Sequence, residues 1–189
     1  MANTRRDASL LIRAAEVHPN PLENLESDLR GSGTRISTAL DQLCQVWAEL
    51  AALPSPLQSA ILRTAALTLR LYETSGGSTV CLHRGDMLGQ RGFAVGTHPE
   101  RSVTLSSPAT QPELVRYILD NLDVLILPDH ALGTWANRKS AQVLDVVVCM
   151  NNQEQAIEMA VRYGEWSIFD LEQGIEIITE NHASAPHRR

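Results

Sequence analysis

Asp145 lies in the run VLDVVV, residues 143–148, where every neighbour is apolar. A carboxylate there must be hydrogen-bonded, ion-paired or set at the rim of a pocket, because burying an unpaired charge is costly. Asp170, in the run IFDLEQG, is a near twin but stands just before a turn. Aspartates in that position commonly bond to the turn backbone. Brought together, the two would make a two-carboxylate site for a metal or for acid–base work. Nothing in the spacing requires them to meet, and no D-x-D or E-x-K pattern points to a nuclease. The plainer expectation is that an arginine satisfies Asp145, and Arg138 and Lys139 stand a few residues away.

A second group of polar and aromatic residues lies in LPDHALGTW, residues 127–135. It holds Asp129, His130, Thr134 and Trp135 around a glycine, which reads as a loop able to bind a ligand. The ligand-binding candidates are therefore His130, Trp135, Asp145 and Asp170. Cys81 and His83 have a C-x-H spacing, but zinc needs three or four ligands and no C-x-x-C follows, so no metal site is assigned. Cys149 reads as strand packing. The chain has no G-x-S-x-G elbow, Walker loop, dinucleotide fingerprint or H-E-x-x-H. No catalytic residue and no cofactor is assigned.

The elements that must hold these residues change character along the chain. Residues 1–77 read as helical. The stretch NPLE, residues 20–23, is a capping box with proline at the first helical position. Ile36, Leu40, Leu43, Trp47 and Leu50 follow at spacings of four, three, four and three. That is a heptad-type seam, which closes within the chain, onto a partner, or onto a second copy. After LPSP, a second helix places Leu57, Ile61, Ala65 and Leu69 on one side, giving a helical hairpin.

Beyond residue 78 the period shortens. Residues 93–95 and 102–105 read as strands joined by the turn GTHPER. Thr110 and Glu113 open a helix as a capping box. Trp135 is expected to pair with strand 143–150 across ANRKSAQ, and EQG fits a hairpin with Gly174 left-handed. The order after residue 90 is β-β-α-β-β-α-β-β. The expected fold is α+β: an N-terminal helical hairpin region, then a mainly antiparallel sheet with two packed helices. The expected divisions are residues 1–77, 78–180 and a tail, 181–189.

With 189 residues, 43% of them hydrophobic, the chain can bury a core. Its net charge of −6 argues against a nucleic-acid partner, which would need a basic face. Three scattered cysteines suit a reducing compartment. No signal core and no membrane-length apolar run is read, so a cytoplasmic protein is expected. Lysine appears once among 16 basic residues, as expected of a GC-rich genome.

The stretches RGFAVGTHPERSVTL, ALGTW, LDVV and AIEMAVRYGEWSIFDLEQGIEI, taken together, resemble a module in uncharacterised proteins of high-GC Gram-positive bacteria and their phages or mobile elements. The resemblance covers residues 91–178 and implies a setting, not an activity. The expectation is a non-enzymatic accessory protein that binds a protein partner or itself, as a homodimer, through the Ile36–Leu50 seam. The alternative is a small-molecule-binding or hydrolytic protein with a pocket at His130, Trp135 and Asp145.

Overall fold

A computed structural model describes residues 38, 40–136 and 141–179. The chain divides into two compact units, residues 1–45 and 46–189. In the first, residues 40–45 are helical. The capping box at residues 20–23, Ile36 and the expected tail lie outside the described residues.

The second unit is an α+β body and opens with helical residues 46–51. Helix α1, Ser55–Ser75, takes proline in its first turn and ends at Gly76. Gly76 is left-handed (φ 75°) and its N–H bonds back to Tyr72 O, which stops the helix and turns the chain into the sheet. Pro54 takes the cap position, and Ser55 is the first helical residue. Helix α2, Gln111–Asp120, opens with the expected box: Thr110 N–H donates to Glu113 Oε2 at 2.7 Å. A single turn, α3, Leu122–Leu125, follows. Helix α4, Gln153–Tyr163, is capped by Asn152, whose side chain accepts from Gln155 N, and ends on left-handed Gly164.

Among the described residues, eight strands form one antiparallel sheet. They are β1 (Gly77–Cys81), β2 (Gly85–Asp86), β3 (Phe93–Gly96), β4 (Val103–Leu105), β5 (His130–Ala136), β6 (Gln142–Met150), β7 (Ser167–Asp170) and β8 (Ile175–Ile178). Their order is β2-β1-β5-β6-β3-β7-β8, with β4 also on β6. The β5–β6 and β7–β8 hairpins are those the sequence leads one to expect. Strands β3 and β4 do not pair with each other. Both lie along one edge of β6, β3 at residues 147–150 and β4 at residues 142–144. The expected GTHPER turn is an excursion from that edge, through a 3₁₀ turn at Pro99–Arg101.

Strand alternation sends Leu144 and Val146 of β6 to one face. There they pack with Leu132, Ile61, Ala65, Leu114, Val115 and Ile118, joined by Val46 and Leu50. Helix α1, expected in a separate helical region, thus lies in the main core. Further along the same face, α4 packs Ala156 and Ala160 on Val95 and Ile168. Fully burying each large aliphatic side chain is worth about 1.5–3 kcal/mol. The opposite face carries Cys81, Ala94, Ala131 and Val147, covered by Met87 and Leu171. Asp145 shares that second face.

Candidate acidic site on the sheet

Asp145 stands opposite Gly133 of β5. On its other side it falls in the gap between β3 and β4, where the 3₁₀ excursion leaves β6. A second carboxyl comes from Glu165. Gly164 ends α4, and the Glu165 backbone is then fixed at both ends: its N–H donates to Ala160 O and its O accepts from Thr179 Oγ1. Both carboxyls converge over Gly96. A Cβ placed there would lie 2.8 Å from Glu165 Oε1 and 3.0 Å from Asp145 Oδ2. The two acids therefore meet across the space of one methyl group, which only glycine leaves open.

Asp145 is half-buried, and its Oδ1 is shielded from solvent without a hydrogen-bond partner among the described residues. Burial first, and the Glu165 carboxylate second, push the Asp145 carboxyl up to about 7. A bond from the Val146 N–H opposes the shift, and Glu100 adds to it. The expected arginine is not found among the described residues. The ion pairs there join Arg101 to Asp123 and Glu100, and Arg116 to Glu49 and Asp120. Arg138 and Lys139 lie outside the described residues.

The other candidates separate. Asp170 pairs with Phe93, which pairs with Met150, so its side chain is on the face opposite Asp145. Its Oδ1 accepts from Glu172 N and Gln173 N at 3.0 and 2.9 Å, so it is a turn-forming residue. No Asp145–Asp170 pair forms. His130 is the first residue of β5 rather than part of a loop, and it pairs with Val148. It too points away from Asp145. Its ring tilts against His98 with centroids 5.9 Å apart, and its Nδ1 has no partner among the described residues. Burial, then His98, lower its pKa. Trp135 pairs with Val143 and so shares the face of Asp145. It is 50% exposed. Of the expected His130, Trp135 and Asp145 group, Trp135 and Asp145 thus share a face and His130 does not, while Glu165 and Gly96, absent from that expectation, lie beside Asp145.

Along the expected seam, Leu40 and Leu43 are exposed in the first unit. In the second, Trp47 is 41% exposed, whereas Leu50 is buried in the core and unavailable to a partner.

A surface depression of about 350 Å³ lies at the end of β6, lined by Asp129, Cys149, Asn152 and Gln155 among others. It does not include Asp145. Burial pushes the Cys149 thiol up to about 11, so it is a poor nucleophile there. No group of three or more His, Cys, Asp or Glu among the described residues is arranged to hold a metal. His83 Nε2 is 2.8 Å from Ile126 O, and Cys81 is fully buried. No helix among the described residues is long and apolar enough to cross a membrane. No protein-family model matches the chain, and neither does any curated protein or solved structure.

Proposed function

We propose that this chain is a small-molecule-binding protein whose ligand meets the Asp145 carboxyl with a hydrogen-bond donor or a cationic group. The observation that carries this reading is the shielded Asp145 Oδ1, without a partner among the described residues, whereas the Asp170 carboxylate is bonded twice. Buried acceptors of this kind cost free energy, and such costs are retained most often at functional sites. Trp135 supports it. As the diagonal cross-strand neighbour of Asp145 it stands at about 7–8 Å between backbones, and its half-exposed indole offers a flat wall on which a cation can rest. A hydrolytic role is the stronger form of the same reading. A carboxyl that titrates near neutral pH can give or take a proton, with Glu165 beside it.

Thermal-shift screening against nucleotides, divalent cations, amines and neutral amides tests this. A ligand that raises the melting temperature of the wild type, and not of a folded Asp145→Asn variant, is the expected result. If no compound class discriminates the two proteins, the reading fails.

The exposure of Trp47 favours a second reading, an accessory protein that engages a protein partner through its N-terminal helical part. Light scattering on Trp47→Glu, with the wild type as reference, tests that surface. A cytoplasmic setting in a phage or mobile element belongs to this reading too, and it rests on composition and on the resemblance of residues 91–178.

A further inference from the structure

Among the described residues the sheet ends differently on its two sides. One side closes on β2, only two residues long. The other ends on β8, Ile-Glu-Ile-Ile. Edge strands of monomeric proteins are guarded by brevity, lysine, proline or bulges. Strand β8 has neither lysine nor proline. Its one charge is tied back onto its own hairpin, where Ser167 Oγ donates to Glu176 Oε1. Ile175 and Ile178 are 48% and 45% exposed. Leu88, which reaches the β7–β8 turn at Gly174, is 55% exposed.

The ladder phase says which backbone groups are free. Thr179 N–H bonds to Trp166 O, and antiparallel pairs alternate between bonded and non-bonded. Ile175 and Ile177 therefore direct their backbone groups to β7. Glu176 and Ile178 direct theirs outward, off the sheet.

We propose that β8 pairs antiparallel with β8 of a second copy of this chain, Glu176 lying opposite Ile178 of the second copy. The charge pattern selects this register. Pairing centred on Glu176 sets two carboxylates directly opposite, which is unfavourable. Pairing centred on Ile178 leaves β8 a single bonded pair. Pairing centred on Ile177 makes two bonded pairs and keeps every acid opposite an isoleucine. It also sets Ile177, which packs on the Val95 and Ile168 cluster, against its own copy, extending that apolar layer across the interface. A two-fold axis closes the assembly at a dimer. Four residues per strand make a small interface, so the dimer is concentration-dependent.

Sedimentation of the full chain over a wide concentration range tests this. The wild type is expected to approach twice the chain mass. Ile178→Pro removes only an outward N–H, so it should sediment as a monomer with an unchanged circular-dichroism spectrum. Ile177→Cys, in a Cys44→Ser background, should cross-link two chains under mild oxidation, because non-bonded partners bring their Cβ atoms closest. Ile175→Cys should not. These variants keep the test alive should the proline variant fail to fold. A wild type that stays monomeric at the highest concentration overturns the proposal. So does a dimer that survives Ile178→Pro, or one that Trp47→Glu alone dissociates.

Discussion

The carboxyl groups of Asp145 and Glu165 meet over Gly96, one from the middle of a central strand and one from the residue after a helix cap. Both are negative when ionised, and the Glu165 charge makes Asp145 harder to ionise. The sheet supplies the low dielectric, and the gap between β3 and β4 supplies the room.

This pair makes stability depend on pH in an unusual direction. In the unfolded chain Asp145 titrates near the ordinary value of about 3.9. In the folded chain it holds its proton up to about 7. Between those values the folded state binds the extra proton, so stability falls as pH rises and levels off above about 7. A tenfold change in proton affinity is worth about 1.4 kcal/mol, so the loss is of the order of a few kcal/mol. Asp145→Asn cannot lose a proton and escapes the penalty. Its melting temperature should match the wild type near pH 4 and exceed it by several degrees at pH 8. Parallel melting curves in both buffers would disprove the buried-acid account.

Asp170 makes the opposite prediction. Its carboxylate holds the β7–β8 turn through two backbone N–H groups and serves no ligand in the proposed site. Asp170→Ala should cost about 1–2 kcal/mol, as the loss of a capping side chain does. Asp170→Asn keeps an acceptor oxygen and should lose less. Denaturant melts give both numbers, and neither variant should alter any ligand shift that depends on Asp145.

Much of this architecture is legible in the sequence, because its signals are local. The Thr110–Glu113 box, Gly164, Gly174 and the alternation in residues 143–150 each specify a short segment by themselves. The separation of His130 from Trp135 was legible too. Positions that differ by an odd number point to opposite faces of any strand that holds both. The rule applies because LPDHALGTW is not a loop throughout: its second half, from His130, is strand. Gly96 and Glu165 were not legible, since they meet only through the β3–β6 and β3–β7 pairings, and GTHPER resembles an ordinary turn. Leu50 shows the same limit. A heptad spacing marks a stripe, but only the packed structure says that its last leucine faces inward.

Gly96 gives the sharpest separation between stability and site chemistry. Gly96→Ala puts a methyl group where the two carboxyls converge. The atoms it meets are the ends of side chains, so the chain can relax, at a cost of about 1–3 kcal/mol for overpacking. Relaxation must carry the Glu165 carboxyl away from Asp145. With that neighbour removed, part of what raises the Asp145 pKa is lost, while burial remains. The midpoint of the pH-dependent stability should therefore move below that of the wild type. Nuclear magnetic resonance titration of the Asp145 carboxyl carbon reads this directly. An unchanged midpoint in a folded Gly96→Ala protein would mean that burial alone raises the Asp145 pKa and that Glu165 has no part in it.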